Sequence, residues 1–300
     1  MSVTLSSLKD VTIGIKTFER YDRLKALLSS LQLSVEEVIV ADDSHDDIYH
    51  AYGKEIYEEF SKYIPLRVLR LPYDSGLAYG RNRIYERVNT PYLLLLDDDM
   101  VIPGGASSIQ LMKDVIEHDR SLCGLSACLF ENGKIRSGGH FLIERKGYLI
   151  RDVYPKIDVK IYKSIPYVYV DHAFNAMILR VECLNDYRWD ERFKIEYEHL
   201  DFHWGHKQLG KWKFAITTSV IFYHFPGGSK KYIRFRYNRG RKLQSKEHFL
   251  RKWHLNGVIS IQTDLLMSYV SPISAIWLGI KKSAPFFILR AMSRIEEYLG

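Results

Sequence analysis

Short apolar runs alternate with amphipathic stretches through the first hundred residues, and this alternation predicts a repeated strand and helix. Val11 to Lys16, VTIGIK, is short and β-branched, as a strand requires. Arg20 to Leu31, RYDRLKALLSSL, places Leu24, Leu27, Leu28 and Leu31 at helical spacing. Glu36 to Ala41 reads as a second buried strand. A charged helical segment follows from about Asp46 to Tyr63, then a third strand from Pro65 to Leu71. The turn from Leu71 to Gly76 leads into a helix that carries Gly80, Arg81 and Asn82 and runs to about Val88. The chain then reaches YLLLLDDDMVI, Tyr92 to Ile102. Four leucines between Pro91 and three carboxylates have no polar face, so they predict a strand buried on both sides. Strands alternating with helices imply right-handed crossovers and a largely parallel sheet, an α/β fold.

Two acidic clusters end strands of that sheet. In open α/β sheets ligands bind at the carboxyl edge, and three adjacent acids repel one another unless a cation is supplied. Asp97 and Asp99 lie two apart on an extended segment and leave it on one side, where they can share a hard divalent ion. A solvated acidic turn or a helix cap is the alternative. Asp42 and Asp43 can accept hydrogen bonds from a nucleotide base or ribose, or can cap the next helix. His224 ends a predicted strand beside Gly227 and Gly228, either as an imidazole ligand or as a core histidine.

A chain of 300 residues with 46% hydrophobic content can bury one substantial core and shows no sign of disorder. A net charge of +7 favours anionic partners without choosing among them. The three cysteines, Cys123, Cys128 and Cys183, are odd in number and lack metal-ligand spacing, which fits buried thiols in a reducing compartment. The N-terminus has neither a basic nor an apolar leader region, so neither a secretory signal nor an anchor is expected there. Turns at Asn132-Gly133, Gly138-Gly139 and Lys146-Gly147 predict hairpins. Tyr154 to Tyr169 reads as aromatic core or a sugar-stacking platform. His203 and His206 read as surface or supporting residues. Beyond Ser245 the chain reads as helical. Its tail sets Trp277, Phe286, Phe287 and Leu289 beside Lys281, Lys282, Arg290 and Arg294, which suits either a helix in an anionic membrane interface or a packing helix.

The combination of a second strand ending in Asp-Asp-x-Ser, a Gly-x-x-x-Gly-Arg-Asn helix and an apolar strand ending in Asp-x-Asp resembles the GT-A glycosyltransferases of the family 2 type. TFERYDRL, ADDS and GRN are similar to segments of the β1,4-N-acetylgalactosaminyltransferases that build gangliosides. WDERFKIEYEHLDFHWGHKQLG resembles the family's Phe-Asp-Glu-x-Phe segment and the Glu-Asp-x-Asp helix start that follows it, with His199 where the family usually has its catalytic Asp.

The resemblance covers about Val11 to Lys242; the helical extension over 245–300 is read from its own residues. The resemblance implies a GT-A domain over residues 1–244, a Rossmann-like mixed sheet flanked by helices. It implies an inverting transfer from a nucleoside-diphosphate sugar, UDP-linked, to a glycan or lipid-linked acceptor. Asp97, Asp99 and His224 would hold Mn²⁺ or Mg²⁺. Asp42, Asp43, Arg81 and Asp98 would bind the nucleotide sugar. Glu198 is the expected base, ahead of Asp201 and His199, which share its helix start. The expected location is the cytoplasm, at the inner face of a membrane if the tail binds lipid. A nucleotidyltransferase is the rival enzyme, and it needs a Gly-rich basic loop where Thr17, Phe18 and Glu19 stand. A nucleic-acid surface on Lys230 to Lys252 is the rival binding role, and it leaves both acidic clusters without a purpose.

Overall fold

The computed structural model describes residues 8–31, 35–152, 158–261 and 285–288. Strand β1 (Leu8–Thr17) leads to α1 (Tyr21–Ser30) and β2 (Val35–Asp42). Next come α2 (Asp46–Ile48), a π-helical stretch (Tyr49–Gly53), α3 (Lys54–Phe60) and β3 (Leu66–Arg70). Helix α4 (Leu77–Tyr85) precedes the leucine strand β4 (Tyr92–Asp97), the short β5 (Met100–Val101) and α5 (Gly105–His118). Strands β6 (Leu122–Glu131), β7 (Lys134–Arg136), β8 (Phe141–Arg145), β9 (Tyr148–Asp152), β10 (Val159–Tyr162), β11 (Ile165–Val170) and β12 (Met177–Arg180) follow. The chain continues through α6 (Cys183–Asp186), α7 (Glu198–Leu209), β13 (Lys213–His224), α8 (Lys230–Arg236), α9 (Arg239–Lys252) and β14 (Gly257–Ser260).

Among the described residues the main sheet has the order β10-β11-β13-β6-β12-β4-β1-β2-β3. Strands β3, β2, β1 and β4 are mutually parallel, and β12 enters antiparallel between β4 and β6. The predicted parallel half is therefore present, and the sheet as a whole is mixed. Period-two alternation divides the leucine run between its faces. Leu94 and Leu96 join the core beneath α1 and α5, and Leu93 and Leu95 join the core beneath α4 and α7. Each fully buried leucine contributes roughly 1.5–3 kcal/mol, so this strand is fixed in register, and its carboxylates are fixed at the edge.

A second sheet, β14-β9-β8, packs through Leu142 and Leu149 against Leu200, Trp204 and Phe249 of α7 and α9. Asn132-Gly133 and Lys146-Gly147 make the β6–β7 and β8–β9 turns, with positive φ at both residues of each, as type I′ hairpins need. Gly138-Gly139 instead forms the approach to β8. Tyr167 and Tyr169 donate to Asp119, and Tyr162 stacks on His118, so these three tyrosines make structural contacts, while Tyr154 lies outside the described residues.

Three expectations change. The boundary at 244/245 falls inside α9, and β14 beyond it pairs with β9, so the extension begins as part of the body. The tail residues 262–284 and 289–300 lie outside the described residues. Cys123 and Cys183 are joined in a disulfide with Cα atoms 5.6 Å apart, and the buried Cys128 thiol, outside that bridge, donates to Thr217 O. Spacing in sequence hid this pair, because β12 sits next to β6 only once the sheet is assembled. His203 and His206 are buried, not superficial, since α7 packs that face against Phe214.

Candidate active site

The C-terminal ends of β1, β4, β6 and β13 converge on a cavity of about 790 Å³, lined by Asp97, Asp99, Glu131, Glu198, His199 and His224 among others. Strand β5 pairs Met100 with His224 of β13, which brings His224 Nε2 within 3.4 Å of Asp99 Oδ2. His224 Nδ1 sits 2.6 Å from Glu131 Oε2. Donating Nδ1–H to that carboxylate leaves the Nε2 lone pair facing Asp99, the arrangement of a metal-ligating histidine. Asp99 Oδ1 is buried without a hydrogen-bond partner. Burial lowers the His224 pKa, and Asp99 and Glu131 outweigh it, so the net direction is upward.

Asp97 is held from the other side. Arg81 Nη2 and Asn175 Nδ2 each donate to Asp97 Oδ1 at 3.1 Å. Burial raises the Asp97 pKa, but Arg81 and Arg20 overcome it and keep the carboxylate below its ordinary value. Arg81 itself is fully buried. Its guanidinium contacts Asp97, His199 and Glu198 and does not face solvent. Gly80 beside it serves a different contact. A Cβ there would lie 2.3 Å from Lys16 Cδ, so the glycine lets Lys16 cross to Asp43. Asn82, last of the GRN triplet, donates to Trp189 O at 2.8 Å and Glu191 at 2.9 Å, which latches the WDE segment to α4.

Helix α7 starts after Glu196 and Tyr197, both at positive φ. Such paired strain in non-glycine residues is held by the surrounding packing and is typical of functional walls. Glu198 Oε1 lies 3.7 Å from Arg81 Nη1, and Glu198 Oε2 is buried without a partner. Burial pushes the Glu198 pKa up, against Arg81. His199 Nε2 stands 3.2 Å from Arg81 Nη2. A guanidinium only donates, so His199 Nε2 accepts, and its proton belongs on Nδ1. Burial and Arg81 push the His199 pKa well down. Asp201 points elsewhere. It takes hydrogen bonds from Tyr187 (3.0 Å), Lys252 (2.9 Å) and Trp253 (2.8 Å), tying α7 to α9 outside the cavity lining.

The β2 acids are also engaged. Asp42 accepts from the hydroxyls of Tyr21 and Tyr57 and from Ser44 N, and Asp43 accepts from Lys16, Ser75 and Gly76 N. Gly76, at φ +98° and packed on Lys194, closes that turn. Asp98 is fully buried, raised to about 6 by burial, and holds Thr17 Oγ1 and Arg20, so it reaches the cavity through these two lining residues.

The sequence reading missed Arg20, Glu131 and Asn175. Arg20 lies three residues past the end of β1, and Glu131 closes β6, so strand ends could have pointed to both. Asn175 had no local signal. Within the basic run over α8 and α9, Lys231 pairs with Glu19, Arg241 with Asp74, Lys242 with Glu196 and Lys252 with Asp190.

A mixed sheet with acids and a histidine at its carboxyl edge is the architecture of the GT-A glycosyltransferases. S. aureus TarS 1–349 in complex with UDP-GlcNAc has a TM-score of 0.53 at 15% identity, over 92% of this chain and 76% of that one. GalNAc-T7 with UDP, GalNAc and Mn²⁺ has a TM-score of 0.56 at 14% identity, over 75% of this chain and 45% of that one. The chain belongs to glycosyl transferase family 2, whose model matches residues 12–181, more than half of it. Homo sapiens beta-1,4 N-acetylgalactosaminyltransferase 1 is 26% identical over 253 residues, 76% of this chain and 43% of the relative. Mus musculus beta-1,4 N-acetylgalactosaminyltransferase 2 is 35% identical over 109 residues, 36% of this chain and 19% of the relative. The chain thus spans less than half the length of these curated relatives.

Proposed function

We propose that this chain is a metal-dependent, inverting glycosyltransferase that moves a sugar from a UDP-linked donor to a hydroxyl of a glycan or glycolipid. The observation that carries the reading is the convergence of Asp97, Asp99, His224 and Glu198 on one cavity. Carboxylate oxygens with one imidazole suit Mn²⁺ among divalent ions, and the unpartnered Asp99 Oδ1 beside His224 Nε2, which faces the same carboxylate, fits a cation. When bound, such an ion would stabilise the charge of the departing diphosphate as a Lewis acid. The UDP, UDP-GlcNAc and Mn²⁺ named for the solved neighbours support the donor class and the metal.

The chain's own residues divide the remaining work. Arg81 and Asn175 fix Asp97, and Glu131 fixes the His224 ring. Glu198 takes the acceptor hydroxyl proton at Oε2, the one oxygen of the pair without a partner. His199 is less suited, because the lone pair of its Nε2 already receives Arg81. One base and a single displacement give inversion at the anomeric carbon. Asp42 and Asp43 support the nucleotide side by shaping the β2 turn through the contacts they make.

No helix among the described residues is long and apolar enough to cross a membrane. The basic and apolar residues of the tail are compatible with a lipid-linked acceptor at an anionic membrane face and equally with a packing helix. UDP-sugars and GDP-sugars screened for hydrolysis with Mn²⁺, with and without chelator, test the donor and metal together. Turnover that survives excess chelator, or a preference for GDP-sugars, overturns this reading.

A further inference from the structure

Arg20 is a cation of the cavity wall whose guanidinium touches Asp98, Asp99, Gly227 and Tyr232, and no motif assigns it a task. It is 7% exposed and sits at the junction of β1 and α1. Nη2 donates to Asp98 Oδ1, Nη1 donates to Asp99 Oδ2 at 2.5 Å, and Nη1 also reaches Gly227 O at 3.2 Å. The guanidinium carbon lies 4.3 Å from the centre of the Tyr232 ring on α8. Its contact with Asp99 falls on the oxygen that His224 Nε2 approaches at 3.4 Å.

We infer that Arg20 is a positioning residue that stands in for the divalent ion at Asp99 while no nucleotide is bound, and passes to the diphosphate when ion and nucleotide enter together. The inference rests on the metal assignment proposed above. A guanidinium and a dication repel one another and compete for the charge of the same Asp99 carboxylate. Asp98 is fully buried and keeps its hydrogen bond to Thr17, so it anchors one side of the guanidinium throughout. The Asp99 side is the one that can open. Nη1, released from Asp99, already points to the cavity rim at Gly227, and the charge-dense anion of a nucleoside-diphosphate donor is its natural replacement. Tyr232 lines the same cavity and stacks on Arg20, so the exchange is also sensed by α8.

The consequence is cooperativity. Ion and nucleotide should each bind weakly alone and tighten one another by the same factor, because the nucleotide removes the competitor from the ion's ligand. Deleting the competitor should therefore strengthen the ion alone while weakening the nucleotide. A residue that merely supports the fold would weaken both.

The test measures Mn²⁺ binding by electron paramagnetic resonance, and UDP binding by calorimetry, on the full chain. Arg20→Gln should bind Mn²⁺ without nucleotide about 5-fold or more tighter than wild type, and should lose most of the Mn²⁺–UDP coupling. Arg20→Gln leaves Asp98 buried without its partner, so Arg20→Gln/Asp98→Asn is measured beside it, with circular dichroism confirming the fold of each. Arg20→Lys, which keeps the charge, should retain weak Mn²⁺ binding. Unchanged or weaker nucleotide-free Mn²⁺ binding in both Gln variants overturns the inference. Wild-type protein that takes up no Mn²⁺ even with UDP overturns the metal assignment itself, an outcome distinct from the first.

Discussion

Glu198→Gln separates chemistry from binding more cleanly than any other change at this site. The substitution keeps the shape of the side chain and removes the basic oxygen. Glu198 Oε1 is 3.7 Å from Arg81 Nη1. At an effective dielectric of ~20 their attraction is roughly 4 kcal/mol, and relieving the burial of the carboxylate returns a comparable amount. The net effect on stability should be small, and Arg81 retains Asp97 as its partner. Loss of a general base lowers kcat by about 10²–10⁴. The donor dissociation constant in Mn²⁺ should stay near the wild-type value, since Asp97, Asp99 and His224 are untouched.

The pH profile supplies a second readout. Burial raises the Glu198 pKa, and only the ionised form accepts a proton, so activity is lost as pH falls through that raised value. The acid limb of kcat should therefore lie above that of an ordinary glutamate, and Glu198→Gln should abolish the limb along with the rate. Steady-state kinetics with the identified donor, together with calorimetry of UDP, decide the matter. Wild-type kcat in Glu198→Gln would refute the assignment. So would a donor affinity that falls as far as the rate does.

Asp99→Ala should lose Mn²⁺-dependent UDP binding while its circular dichroism stays that of the wild type, because the side chain ends a strand outside the apolar core; retained Mn²⁺ dependence sinks the metal placement. Gly80→Ala brings a methyl to 2.3 Å from Lys16 Cδ and should cost about 1–3 kcal/mol, read as a lower denaturant midpoint. Reducing the Cys123–Cys183 disulfide, which spans 60 residues, should lower stability by up to ~4 kcal/mol, and a midpoint indifferent to reductant contradicts it. At Asp190, burial raises the pKa but Arg192, His248 and Lys252 hold it below the ordinary carboxylate range. That stability is present above pH ~4 and lost as pH falls further, so Asp190→Asn should flatten the acid side of the Tm profile.

What the sequence made legible follows from the range of the interactions involved. The leucine strand and its acids were readable because a buried strand announces itself within a few residues, and the carboxylates end it. The GRN triplet was readable as a unit, yet its mechanics were not. Gly80 is set by Lys16 on β1, and Asn82 by Trp189 and Glu191, more than a hundred residues away. Arg81 was expected to bind the nucleotide sugar, and in the structure it is fully buried and donates to Asp97. Asp201 resembles a site residue by position, but Trp253 and Lys252 of the region beyond α7 turn it into a structural anchor. The same long range explains why the disulfide and Asn175 escaped notice, since antiparallel insertion of β12 between β4 and β6 creates both neighbourhoods. His224 shows how the two levels meet. The residue was visible at a strand end, whereas its fitness as a ligand depends on Glu131 at the end of β6, which fixes which nitrogen faces Asp99.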